Sequence, residues 1–132
     1  MNKYAPTVLR IGLALVFLWF GTQQLFNTES WTRLIPDFVI QMSHLSASTW
    51  VHINGSLEIV LGLCLLFGFF TQVSALILAA HLAVIALDVG IFTPVGVRDF
   101  GLTIATLSIF LNGISYFSLD SYFQKRDAII SE

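Results

Sequence analysis

The stretch Trp50-Val51-His52-Ile53-Asn54-Gly55-Ser56-Leu57-Glu58-Ile59-Val60-Leu61-Gly62-Leu63-Cys64-Leu65-Leu66-Phe67-Gly68-Phe69-Phe70-Thr71-Gln72-Val73 sets one carboxylate, Glu58, inside an apolar run long enough to cross a bilayer. A crossing helix needs about 20 mainly apolar residues. A second such run begins straight after Thr71 and Gln72. Two spans joined by so tight a turn must be antiparallel neighbours. Working outward gives four expected spans, over residues 5–26, 50–70, 72–92 and 98–117. They are apolar nearly all round, whereas a soluble helix of this length carries a polar stripe. The expected fold is all-α: an integral membrane antiparallel four-helix bundle, formed as a single domain by residues 1–132.

Composition agrees. Apolar residues make up 56% of the chain and charged residues 11%, where a soluble domain averages roughly 25% charged. Mean hydropathy is +0.83. A formal charge of −2 without a basic patch points away from nucleic acid and leaves the lipid bilayer as the first partner. Lys3 and Arg10 precede the first apolar run, but no small-residue cleavage site follows it, so the segment is read as a retained span.

The connections differ in kind. Thr93-Pro94-Val95-Gly96 reads as a turn between the third and fourth spans. Residues 27–49 form a longer connection in which Trp31, Leu34, Ile35, Phe38, Val39 and Met42 recur at near-helical spacing around Pro36. It reads either as a short amphipathic piece at the membrane interface or as an ordered loop. Lys3, Arg10, Lys125 and Arg126 share one side of the membrane, against Arg33 and Arg98 on the other. The positive-inside rule then puts both termini in the cytoplasm of a cell-membrane protein. Trp31 and Trp50 are expected in the outer interface, Tyr116 and Tyr122 in the inner one.

Polar groups in hydrocarbon are costly, and each calls for a partner. At a rise of about 1.5 Å per residue, Gln23, Gln24, Asn54, Glu58 and Asp88 fall in an outer layer, with Arg98 and Asp99 at its rim. Arg10 and Asn112 fall in an inner layer, with His81 between. Asn54, Glu58, Asp88, Arg98 and Gln24 are therefore candidates for binding a ligand, and Glu58 for relaying a proton. Arg10, His81, Asp99 and Asn112 are candidates for a polar network that holds the bundle. Arg98, snorkelling down from the rim, is the expected partner of Glu58, because Arg10 lies about 10 Å too far inward. Gly55 and Gly62 flank Glu58 on nearly one face and would let another backbone approach.

No metal, haem or flavin motif stands out. His52 and His81 lie more than about 10 Å apart along the membrane normal, too far for paired axial haem ligands. His44 falls in the loop. Cys64 is the only cysteine, which disfavours thiol–disulfide or cysteine–metal chemistry within the chain. Asn54-Gly55-Ser56 matches a glycosylation sequon, but it lies within a span.

These residues together resemble the DoxX family of small bacterial and archaeal membrane proteins. The resemblance rests on Arg10 early in the first span, the stretch from Phe17 to Gly21, and the Gly55, Glu58, Gly62 centre of the second. Arg98-Asp99 before the last span, and Gly113 followed by Ser118-Leu119-Asp120, complete it. In two places the chain departs. Gly21-Thr22-Gln23-Gln24-Leu25 stands where the family often has Gly-x-x-Lys-Leu, and Gln72 replaces a basic residue common at the second turn. The resemblance implies four spans and, in some members, a subunit of a thiosulfate:quinone oxidoreductase or a link to redox stress.

Three functions follow as expectations. One is a redox-linked subunit that binds a quinone-like or other lipophilic molecule near Glu58 and takes electrons through a partner protein. The second is a structural or assembly subunit without chemistry of its own. The third is a carrier or channel for small solutes, which would require a homo-oligomer, since four helices leave little room for a pore.

Overall fold

The computed structural model describes residues 4–115 and 117–130, so the expectations on Lys3 and Tyr116 lie outside the described residues. The elements are α1 (Ala5–Phe26), α2 (Glu29–Thr32), α3 (Asp37–Ser43), α4 (Ala47–Phe67), α5 (Thr71–Val89), α6 (Pro94–Asn112) and α7 (Leu119–Ile130). The helices long and apolar enough to cross a membrane are α1, α4, α5 and α6. This is the helical membrane bundle expected from the sequence.

Local capping chemistry, which hydropathy does not register, sets the boundaries. Helix α4 begins at residue 47, before the apolar run, because the Ser46 side chain accepts the Thr49 amide at 3.1 Å. It stops at Phe67 although Phe69 and Phe70 are apolar, because Gly68 turns left-handed at φ +69°. A side chain at Gly68 would also collide with Ser118. Helix α6 begins at Pro94, where the Thr93 hydroxyl accepts the Gly96 amide at 3.0 Å. Proline there needs no amide partner. It ends at Asn112, so the fourth span is shorter than residues 98–117. The chain then turns through Gly113 (φ +73°) into α7, a further helix that hydropathy does not separate from a polar tail.

Helix α1 packs most extensively on α4, and α5 on α6, while the α4–α5 and α1–α6 contacts close the ring. The core is Leu13, Ala14, Phe17, Leu65, Ala75, Leu78, Leu82 and Ile109. Small residues let the helices approach: Gly55 and Gly62 face α1, and Ser74, Ala75, Ala79 and Ala86 of α5 are buried. With lipid outside there is no hydrophobic gain in pressing two helices together, so close contact between small residues carries the association. The large apolar side chains Val8, Leu15, Trp19, Val60, Val84, Leu87 and Leu111 point outward instead.

One end of the bundle is tied by Arg10, which is only 1% exposed. Its guanidinium donates to the Leu65 and Leu66 carbonyls, the latter at 2.8 Å, in the last turn of α4, where the Leu65 carbonyl also accepts the Gly68 amide at 3.2 Å. It also donates to the Phe117 carbonyl and the Ser115 hydroxyl, both at 2.9 Å. A cation is well placed at a helix C-terminus, where the backbone dipoles leave partial negative charge. At the same end Asp120 accepts the Phe70 and Thr71 amides at 3.0 and 2.8 Å, capping the start of α5.

Residues 27–46 contain two short helices rather than one amphipathic piece. Pro36, extended at ψ 141°, separates α2 from α3, and His44 ends α3 left-handed at φ 57°. The segment lies across the end of the bundle opposite Arg10.

Candidate functional site

The site begins at the crossing of α1 and α4. A methyl group on Gly21 would lie 2.7 Å from the Gly55 carbonyl oxygen, and one on Gly55 would lie 2.9 Å from the Gly21 carbonyl oxygen. Only glycine at both positions allows this approach, and one turn beyond it the polar residues of the two helices meet. Asn54 Nδ2 donates to Gln24 Oε1 at 2.9 Å, and Gln24 Nε2 donates to Glu58 Oε2 at 2.9 Å. Gln24 and Glu58 are each 3% exposed. The amide is thus used at both ends, and the relay sets its orientation: oxygen toward Asn54, nitrogen toward the carboxylate.

The other carboxylate oxygen faces α5. Glu58 Oε1 lies 3.6 Å from His81 Nε2. That separation is too long for a hydrogen bond, and the buried His81 Nε2 has no hydrogen-bond partner among the described residues. A bridging oxygen atom, or a small side-chain movement, would connect acid and imidazole.

Beside this pair opens a cavity of about 250 Å³. Gln24, Asn54, Glu58 and His81 supply its polar part, and Asp88, Arg98 and Asp99 lie toward the bundle end. The rest is apolar: Phe20, Val51, Leu82 and Ile85 from the spans, and Trp31, Leu34, Ile35, Phe38 and Val39 from the connecting segment, with Trp50 at its edge. Trp50 is pinned by Nε1 donating to the Ser43 hydroxyl at 2.8 Å, and Trp31 stands edge-on to Phe20 at 5.8 Å. A mostly apolar hollow with a few convergent polar groups is the usual form of a small-molecule site.

Arg98 does not reach Glu58. Its Nε donates to Asp99 at 2.7 Å, and its guanidinium carbon stands 4.6 Å above the Phe20 ring. Asp99 is buried and Arg98 is partly exposed, and the pair lines the cavity at its rim. Asp88 is exposed and lines the same rim. His81, expected in the supporting network, faces the cavity. Arg10 sits at the opposite end of the bundle. Asn112 is exposed and donates to its own helix at the Ser108 carbonyl (2.7 Å), so it joins no link between helices. His52 bonds the Ser48 carbonyl at 2.7 Å. Among the described residues no group of three His, Cys, Asp or Glu could hold a metal ion.

Residues 31–39 contribute to the site in a way that reading the chain by depth did not foresee. Their near-helical apolar spacing was the available signal: Trp31, Leu34, Ile35, Phe38 and Val39 line the cavity, while Met42 is exposed.

A model of the DoxX family matches residues 5–91, which run from the start of α1 to just beyond α5 and include Arg10, Gln24, Asn54, Glu58 and His81. No curated protein and no solved structure matches the chain.

Proposed function

The chain belongs to the DoxX family, and on that premise we propose that it is a redox-linked membrane subunit which holds a quinone-like or similar lipophilic molecule in the cavity beside Glu58. The observation that carries this reading is the buried carboxylate itself. One oxygen of Glu58 is fixed by Gln24, and the other is turned to His81 with a gap between them. A ligand hydroxyl seated there would donate to Glu58 and accept from His81, and a ligand carbonyl would accept from His81 and from Glu58 in its protonated form.

In this reading the residues have distinct tasks. Gln24 and Asn54 orient Glu58. Glu58 and His81 exchange a proton with the ligand oxygen, an arrangement suited to general acid–base work because both groups can lie within reach of one atom. Phe20, Trp31, Phe38 and Trp50 give the ring an apolar bed and keep water away. Electrons come from a partner protein. The positive-inside rule orients the subunit in the cell membrane with both termini in the cytoplasm, which puts the cavity in the outer half of the bilayer.

A structural subunit is the competing reading, favoured by the Arg10 knot, which ties α1 to the end of α4 and to Ser115 and Phe117. Purification in mild detergent, an ultraviolet–visible spectrum and mass spectrometry of an organic extract separate the two. A quinone or related lipophile carried by the wild type and lost from Glu58→Gln supports the site. Extracts containing only phospholipid, with no added quinone raising the melting temperature, would overturn it in favour of the structural role.

A further inference from the structure

We propose that α7 is a membrane-surface helix, with Leu119, Tyr122 and Phe123 in the lipid of the bilayer face where the bundle ends at Arg10. The helix has 12 residues, a length at which an isolated helix is marginal in water. Its first turn is fixed: the Asp120 amide donates to the Gly68 carbonyl at 2.9 Å, and its carboxylate caps α5. Beyond that turn, residues 122–128 are all exposed.

The helix itself shows which kind of surface. At about 100° per residue, Leu119, Tyr122 and Phe123 share an arc of roughly 100°, and Ser121 and Gln124 face away from its centre. Leu119, Tyr122 and Phe123 are 42%, 63% and 43% exposed. Arg126 falls within the arc, where its aliphatic stem can lie in the apolar layer while the guanidinium reaches phosphate. Lys125 and Asp127 border the arc on opposite sides. Aromatic rings on one side, bordered by charged side chains, are the pattern of a helix lying in a membrane interface.

Position agrees with composition. The anchoring turn, Gly68 to Phe70, is where α4 and α5 meet, so α7 starts level with the ends of the spans. Phe67 and Phe70, 60% and 61% exposed at that level, continue the lipid-facing surface of the bundle directly into α7. A bilayer therefore covers this arc without any further partner.

The test uses the full chain with Cys64→Ser, single cysteines at Tyr122, Phe123 and Gln124, and nitroxide labels, in vesicles containing phosphatidylglycerol. Electron paramagnetic resonance then compares collisions with oxygen and with a water-soluble nickel chelate. The oxygen-to-nickel ratio should be several-fold higher at positions 122 and 123 than at 124. High nickel access at every position would overturn the proposal by placing α7 in water. Low access to both reagents at 122 and 123 would overturn it as well, by showing a covering protein or a second copy.

Discussion

Gln24 donates to one oxygen of Glu58 at 2.9 Å and leaves the other oxygen facing His81. A glutamine can do this without neutralising the carboxylate, whereas a lysine at that position would form an ion pair. The chain therefore carries a buried acid that is oriented but not matched by a fixed cation.

Glu58→Gln retains the shape of the side chain and can still bond Gln24. Its melting temperature in detergent should stay within a few degrees of wild type, while retention of a co-purified or added quinone falls at least tenfold. Glu58→Ala removes the acceptor and leaves the Gln24 amide nitrogen unpaired, a loss of about 1–3 kcal/mol, so both readouts should drop.

Gln24→Lys restores the basic residue common in the family. The ammonium would lie within reach of Glu58, and the melting temperature should hold or rise. Because the carboxylate is then occupied, quinone protection against heating should weaken. An unchanged ligand response would show that the Glu58 charge does not face the ligand.

Gly21→Ala and Gly55→Ala each place a methyl group against the opposing backbone. Overpacking of this kind typically costs about 1–3 kcal/mol, read as a fall in melting temperature. The crossing would also widen, so both variants should lose ligand as Glu58→Gln does, although neither glycine has a functional group.

Arg10→Met keeps the volume near the end of α4 but removes the guanidinium donor from the Leu66 and Phe117 carbonyls, leaving Leu65 only its bond from the Gly68 amide. The expected loss is about 3 kcal/mol, the scale of one or two charge-assisted hydrogen bonds, seen in thermal melts. Ligand retention per folded molecule should not change, because Arg10 and the cavity lie at opposite ends of the bundle.

Hydropathy was enough to find the four crossing helices, and Gly55 and Gly62 marked the face of α4 that meets another helix. Depth along the helices also brought Gln24, Asn54 and Glu58 to one level. Depth does not encode direction around an axis, and that is where the reading diverged. Arg98 lies at a reachable height, but Asp99 is its neighbour in sequence and captures it at 2.7 Å, leaving His81 to face Glu58. The role of residues 31–39 depends on how the segment folds back after Pro36, which spacing alone does not determine. Asp120 was legible as part of a motif, but its task at the start of α5 depends on a contact fifty residues away.

The tie at Arg10 also sets an order of events during synthesis. Two of its acceptors, in Ser115 and Phe117, lie 105 and 107 residues downstream, and the carboxylate that caps α5 follows at Asp120. While the ribosome is still making the fourth span, the arginine has only the end of α4 to bond. The stretch that completes the tie is made after all four spans, so a chain that stopped short of it would carry its spans without their fastening.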